Sequence, residues 1–300
     1  MIEPGLATEG GRDMSRLARQ RIQLSGGTDL AYVAAGDSSD IAVLLLHGIP
    51  SSADVFRGVV DALAKVVYVV APDLPGAGES EPLRDTTFAA YADAVGELLA
   101  HLRVGPRYVY LHDFGAPVGF HLAMREPDLV RGLIVQNANA HRTGFSAQWD
   151  PVEAYWANPT AQNEAAVTQH LSAQGTRDQY YKGVPDDVAA KIDPRMWEED
   201  WRVMSMPGRL DAQRAMLRDY GRYVARFGEL KAWLDAHQPP ALMVWGRHDI
   251  YFDIAETVSW MRDLPRMECH VLDAGHLLLE THAQEAAKLM MAFVERTSRR

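Results

Sequence analysis

The chain has 300 residues, which suits one large domain or a domain with an insertion. It is 47% hydrophobic and 23% charged with a formal net charge of -10, a balance that argues against a nucleic-acid partner. No apolar run approaches the ~20 residues that span a bilayer, and the N-terminus lacks the apolar core of a secretory signal. One cysteine, Cys269, excludes an internal disulfide. These features predict a cytoplasmic protein with no membrane insertion.

The predicted elements alternate along most of the chain. Residues 1–14 are expected to form a disordered tail, and residues 22–36 predict an antiparallel hairpin at a sheet edge. Short apolar runs rich in β-branched residues predict buried strands at 42–48, 67–73, 108–113, 132–137, 241–246 and 267–273. Helical patterns lie between them at 55–66, 88–104 and 116–127. This order predicts an α/β fold with a mostly parallel, doubly wound sheet.

The alternation stops between residues 139 and 238, which are rich in Trp, Tyr and Met and lack strand signals. We predict a helical cap there, inserted into a core formed by residues 15–138 and 239–300. Ligands of open α/β sheets bind at the carboxyl ends of the strands, so a cap would supply apolar walls to such a site. Tyr251 and Phe252 are expected to contribute to the same wall.

Polar residues follow the predicted strands in a defined order. His-Gly-Ile-Pro at 47–50 follows the first parallel strand, Asp113 follows "YVYLH", Asp249 follows the penultimate strand and His276 follows the last. Asp113 on its own could cap the following helix, since acids are common at helix N-termini. The order of nucleophile, acid and histidine instead resembles the α/β-hydrolase superfamily.

The resemblance covers nearly the whole chain and is strongest to the branch that uses an aspartate nucleophile. "HDFG" at 112–115 is similar to the His-Asp-Trp-Gly pattern of that branch, and "HGIP" is similar to the His-Gly-x-Pro of epoxide hydrolases. Leu111 stands where the serine-hydrolase elbow has its first glycine. A carboxylate suits displacement at saturated carbon, which gives an ester that water then cleaves at its carbonyl.

The resemblance implies a role for each of these residues. Asp113 would be the nucleophile, His276 would activate water and Asp249 would orient the imidazole. The N–H groups of Ile49 and Phe114 would stabilise the oxyanion in a site framed by the turn residues His47, Gly48 and Pro50. We expect His47 and His112 to shape their turns through hydrogen bonds.

The leaving group separates the members of this branch. Haloalkane dehalogenases typically place N–H donors at the positions of Phe114 and Ile49, whose side chains have none, and fluoroacetate dehalogenases use arginines beside the nucleophile. Epoxide hydrolases place two cap hydroxyls over the epoxide oxygen. The resemblance implies Tyr155, or Trp156 with its indole N–H, for the first donor and Tyr220 for the second. The Trp/Tyr pair also resembles epoxide hydrolases of aromatic polyketide pathways.

The sequence therefore predicts a hydrolase that opens a hydrophobic, uncharged epoxide to a vicinal diol. Two alternatives remain open: a haloalkane dehalogenase with a cap Trp/Tyr halide site, and a hydrolase-fold protein that binds a ligand without turnover. The expected partner is a small-molecule substrate. We expect no metal or organic cofactor, and a monomer or a homodimer.

Overall fold

The computed structural model describes residues 16–298 of the chain, so the predicted tail at 1–14 lies outside the described residues. Within the described range, eight strands form one sheet in the order β1-β2-β4-β3-β5-β6-β7-β8. The strands are β1 (Gln20–Gln23), β2 (Asp29–Ala35), β3 (Ala42–Leu46), β4 (Tyr68–Pro72), β5 (Arg107–His112), β6 (Val130–Gln136), β7 (Ala241–Gly246) and β8 (Glu268–Leu272). The predicted edge hairpin is confirmed as β1 and β2, which pair antiparallel.

The register of the sheet brings the polar strand ends together. From β4 to β8 every neighbouring pair is parallel. Leu46 of β3 lies opposite Leu111 of β5, and His112 of β5 lies opposite Gln136 of β6. The turns that follow these strands therefore share one carboxyl edge, which is where a doubly wound sheet places its ligands.

Helices cover both faces of the sheet. They are α1 (Arg57–Leu63), α2 (Phe88–His101), α3 (Gly115–Arg125), α4 (Asp150–Ala157), α5 (Ala161–Val167), α6 (Ala173–Tyr181), α7 (Asp186–Ala189), α8 (Pro194–Met204), α9 (Arg209–Ala225), α10 (Phe227–His237), α11 (Ala255–Asp263) and α12 (Leu279–Ser298). Residues of α2 and α3 pack in the apolar core on one face, and residues of α1 and α12 pack in the core on the other. This two-sided burial explains why β3, "AVLLL", is apolar at every position.

The stretch between β6 and β7 contains helices α4 to α10 and short 3₁₀ turns, and no strand, over residues that are all described. We call residues 139–238 the helical insertion. It is tied to the core by polar contacts as well as apolar ones. Asp219 of α9 accepts a hydrogen bond from the backbone N–H of Phe88 at 2.8 Å, and Arg209 donates to the carbonyls of Gly76 and Gly78, each at 3.0 Å.

No helix within residues 16–298 is both long enough and apolar enough to cross a membrane.

Candidate active site

Asp113 stands at a sharp turn between β5 and α3. Its φ of 45° lies in the left-handed region, which is strained for a residue with a side chain. Gly115 allows this turn to sit against the neighbouring strand, because a Cβ there would lie 2.5 Å from the Leu46 carbonyl oxygen and 2.6 Å from that of His47. The glycine of "HDFG" is thus required by the close approach of two backbones.

The carboxylate of Asp113 is buried and bound by backbone donors. Its Oδ2 accepts a hydrogen bond from the Ile49 N–H at 2.8 Å. Burial raises the pKa of Asp113, while His276 and the N–H groups of Phe114 and Ile49 act in the opposite direction. Helix α3 begins without a side-chain cap. The Asp113 side chain is bound to the turn after β3 at Ile49, a contact that a simple helix cap would not make.

His276 and Asp249 form a hydrogen-bonded pair beside this carboxylate. His276 Nδ1 lies 2.8 Å from Asp249 Oδ2, and the two side chains are 3% and 0% exposed. The other oxygen, Oδ1, accepts from the N–H groups of Tyr251 and Phe252 at 2.7 and 3.1 Å. Burial lowers the pKa of His276, but the negative charges of Asp249 and, to a smaller extent, Asp113 outweigh the effect of burial. The pKa of His276 therefore lies above its usual value.

Asn137 is a supporting residue whose role the sequence did not predict. It follows β6, has a φ of 36°, and its Nδ2 donates to Asp249 Oδ2 at 2.8 Å and to the Gly246 carbonyl at 3.2 Å. Its Oδ1 accepts from the Gly246 N–H at 2.8 Å. Asn137 thus ties the ends of β6 and β7 together. It also donates the fourth hydrogen bond that the Asp249 carboxylate accepts. The sequence signal that could have identified this role is an asparagine placed directly after a predicted buried strand.

Two other histidines hold backbone in place. Nε2 of His47 accepts from the Leu74 N–H at 2.9 Å, and its Nδ1 lies 2.8 Å from the Gly48 carbonyl, so the ring is a neutral Nδ1–H tautomer. Burial lowers the pKa of His47. His112 Nδ1 lies 3.1 Å from the Gln136 carbonyl, and burial followed by the nearby His276 places the pKa of His112 well below its usual value.

A cavity of about 120 Å³ lies over the nucleophile. Core residues Ile49, Asp113, Phe114, Tyr251, Phe252 and His276 line one side, and insertion residues Gln148, Trp149, Val152, His170, Gln179 and Leu217 line the other. The prediction that Tyr251 and Phe252 contribute to the wall is confirmed. Gln148, His170 and Gln179 were missed, because the insertion has no regular pattern that separates cavity-facing polar residues from solvated ones.

The predicted cap donors do not line this cavity. The Tyr155 hydroxyl accepts from Arg218 Nε at 2.9 Å, and the Trp156 indole donates to the Leu217 carbonyl at 3.0 Å. Tyr220 is fully buried behind Phe114, with the two rings stacked at 5.3 Å, and its hydroxyl lies beside the Asn139 side chain. The structure brings the other predicted residues together, and these three do not line the cavity with them, although the charge of Asp113 reaches the Tyr220 hydroxyl and helps to raise its pKa.

The arrangement of an acid at a strand-to-helix elbow, facing a His–Asp pair from the last two strand ends, points to one fold family. The family model for the alpha/beta hydrolase fold matches residues 41–283. The chain belongs to the α/β-hydrolase family. The match covers the core strands β3 to β8 together with the helical insertion, so the predicted fold class is confirmed.

Individual relatives of this α/β hydrolase include enzymes of more than one activity. The chain is 30% identical over 276 residues to the uncharacterized hydrolase YNR064C of Saccharomyces cerevisiae, covering 89% of this chain and 94% of that protein. Its fold is similar to that of the epoxide hydrolase CorEH, with a TM-score of 0.75, 23% identity and coverage of 93% and 99% of the two chains. It is also similar to the haloalkane dehalogenase DbeA from Bradyrhizobium elkani, with a TM-score of 0.74, 21% identity and coverage of 94% and 99%. At these identities the two structures support the fold alone.

No group of three or more His, Cys, Asp or Glu side chains within residues 16–298 is arranged to hold a metal ion.

Proposed function

We propose that this α/β hydrolase opens short, hydrophobic, uncharged epoxides to vicinal diols through an ester on Asp113. One carboxylate oxygen of Asp113 attacks an epoxide carbon, the carbon–oxygen bond of the ring breaks, and the ring oxygen takes a proton. Water then attacks the carbonyl of the ester, and His276 takes the proton of that water. Asp249 keeps the imidazole in the tautomer whose Nε2 can accept this proton.

The environment of Asp113 supports both steps. Buried and freed from bulk water, its carboxylate is a stronger nucleophile than a hydrated one, while the N–H of Ile49 holds the oxygen that does not attack. In the second step the same N–H, with that of Phe114, would bind the negative charge that develops on this oxygen.

The donors around the cavity favour an epoxide over a halide. Trp149 of the insertion lines the cavity, and its indole donates to the Tyr251 carbonyl at 2.8 Å; the indole of Trp156, which does not line the cavity, donates to the Leu217 carbonyl. Both N–H groups are therefore occupied by backbone oxygens. This observation carries the choice of an epoxide.

The cavity also limits the substrate. No arginine or lysine of residues 16–298 lines it, so within that range a substrate carboxylate would have no cationic partner. Its volume of about 120 Å³ is below the ~150 Å³ of a cavity that holds benzene. This size favours short-chain epoxides over the multi-ring aromatic substrates to which the Trp/Tyr resemblance pointed.

The test uses a His276→Ala variant, which should form the ester and fail to hydrolyse it. The variant is incubated with propylene oxide, butene oxide and matched short alkyl bromides, and the mass of the intact protein is measured. A gain equal to a whole epoxide, mapped to Asp113 and absent from a variant that also carries Asp113→Ala, is the expected result.

Two other results would contradict the proposal. A gain equal to an alkyl group without its halogen, with no gain from any epoxide, would make the protein a haloalkane dehalogenase. An unchanged mass with every compound, together with tight binding of one that is recovered intact, would make it a binding protein.

A further inference from the structure

The proposed ring opening needs a proton for the epoxide oxygen, and the cavity contains few groups that can donate one. Of the polar insertion residues, His170 has a pKa lowered by burial, and it is hydrogen bonded to the Val167 backbone. A neutral imidazole with its N–H committed to a carbonyl has only an acceptor left. Gln148 and Gln179 carry amides, which donate hydrogen bonds but do not give up protons.

Among residues 16–298, Tyr251 is the one phenol that lines the cavity with Asp113 and His276. Its ring centroid lies 5.5 Å from that of His276 in an edge-on arrangement. Its hydroxyl has no hydrogen-bond partner within residues 16–298, and it is not among the fully buried unpartnered atoms of that range. No hydrogen bond joins this hydroxyl to Asp113 within the described residues, and the Asp113 charge reaches it, since that charge helps to raise the pKa of Tyr251.

The backbone of Tyr251 is fixed from two sides. Its N–H donates to Asp249 Oδ1 at 2.7 Å, and its carbonyl accepts from the Trp149 indole at 2.8 Å. The loop that positions the acid of the His–Asp pair therefore also positions this phenol, and the insertion holds it from the other side. Such anchoring is what preorganises a catalytic group.

Gln179 is a second donor on the same cavity. It lies on α6 and is 9% exposed, and its amide has no hydrogen-bond partner within residues 16–298. The end of the segment after α6 packs on the loop that carries Tyr251, since a Cβ at Gly183 would lie 2.8 Å from the His248 carbonyl oxygen. This amide lines the cavity without a protein partner, so it can donate a hydrogen bond to a substrate oxygen there.

We propose that Tyr251 is the acid of epoxide opening and that the Gln179 amide is the second donor to the departing oxygen. This inference rests on the proposed function. As Asp113 bonds to the epoxide carbon, the electron pair of the broken carbon–oxygen bond stays on oxygen, which takes the Tyr251 proton. Hydrolysis of the ester releases one proton when the Asp113 carboxylate re-forms, and this proton returns to the Tyr251 phenolate.

The state of Tyr251 fits this role. Burial raises its pKa, so the phenol stays protonated at neutral pH. An alkoxide is a stronger base than a phenolate, so the proton transfer is favourable. Tyr220, one of the three predicted cap candidates, is instead fully buried, stacked on Phe114 and tilted against Trp149, and does not line the cavity.

The experiment measures the rate of ester formation with butene oxide in the His276→Ala background, by quenching at timed intervals and weighing the intact protein. Tyr251→Phe should slow this rate about 100-fold, the usual contribution of a positioned acid. Gln179→Met should slow it about tenfold, the value of one hydrogen bond. Tyr181→Phe is the matched control, because it removes a hydroxyl from α6 outside the cavity and should leave the rate unchanged.

Three outcomes would overturn the assignment. A Tyr251→Phe rate within about threefold of its parent would exclude Tyr251 as the acid, and a 100-fold loss in Tyr220→Phe alone would give the role to Tyr220. A loss of thermal stability in Tyr251→Phe that matches its loss of rate would make the residue structural. If the His276→Ala parent gains no epoxide mass, it is the proposed function that fails, and the two failures are therefore distinct.

Discussion

Replacement of Asp249 by asparagine should separate the two steps of the proposed reaction. The four hydrogen-bond partners of this carboxylate are the N–H groups of Tyr251 and Phe252, the Asn137 amide and the His276 ring. An asparagine keeps the shape but replaces one acceptor oxygen with a donor NH₂. At the Oδ1 position this NH₂ would face two backbone N–H donors, whereas at the Oδ2 position it would face one donor, the Asn137 amide, so we expect it at the Oδ2 position.

The His276 ring can adapt to that orientation in only one way. Its Nδ1 would accept from the new amide, and the ring proton would move to Nε2, the atom that should accept the proton of water. The base would thus be held in the inactive tautomer. Loss of general-base catalysis costs 10²–10⁴-fold, so we expect ester hydrolysis to slow by about 10³-fold, or about 4 kcal/mol.

The assay follows both steps in one experiment. Asp249→Asn is mixed rapidly with butene oxide, quenched in acid at intervals and weighed intact. Ester should form within about tenfold of the wild-type rate and then persist, while diol release falls about 10³-fold. Asp273→Asn is the matched control, since Asp273 pairs with His248 at 2.7 Å on the exposed side of the same sheet edge and should turn over normally. Diol release within tenfold of wild type, or no ester at all, would refute this reasoning.

Three further predictions address the nucleophile, the base and the stability of the insertion. Gly48→Ala should slow ester formation at least about 100-fold, because its Cβ would lie 2.3 Å from Asp113 Oδ2; Gly228→Ala, with no atom within 4 Å of the new Cβ, should not. The Asp113 charge helps to raise the pKa of His276, and the ester removes that charge. The pKa of His276 should therefore be lower in the ester than in the free protein. The first is the midpoint of the pH profile of ester decay, and the second is measured by NMR on the imidazole; equal values would contradict the prediction. His141→Ala should lower the free energy of unfolding in urea by about 3 kcal/mol near pH 6, because it leaves the buried carboxylates of Glu256 and Asp263 without their shared partner. These carboxylates outweigh the effect of burial and raise the pKa of His141. The difference in unfolding free energy between wild type and His141→Ala should therefore shrink as the pH rises above that pKa. A difference that grows with pH would contradict this prediction.

The sequence predicted the core of the fold well because its signals are local. Apolar runs such as "AVLLL" are compatible only with a strand covered on both faces, and every predicted strand is present in the sheet. The polar turns are predictable for the same reason, since parallel strands carry their carboxyl ends to one edge. Asp113, Asp249 and His276 meet there, although their catalytic roles remain predictions.

The cavity-facing residues of the insertion were not predictable in the same way. Trp156 and Tyr155 have the right chemistry and roughly the right position, but helix α4 turns their polar atoms toward α9. Whether an aromatic side chain faces a cavity or a neighbouring helix depends on how helices cross, and this is set by tertiary packing. The role of Asn137 was hidden because it depends on pairing between β6 and β7, whose ends are far apart in sequence.

The hydrogen bond from Ile49 to Oδ2 makes the two oxygens of Asp113 unequal. In the proposed reaction the free oxygen, Oδ1, attacks the substrate, and cleavage at the carbonyl sends that atom away in the diol. An oxygen from water takes its place. The protein would thus give one of its own atoms to each product molecule and rebuild its side chain from solvent in each cycle, while the anchored Oδ2 stays for the life of the chain.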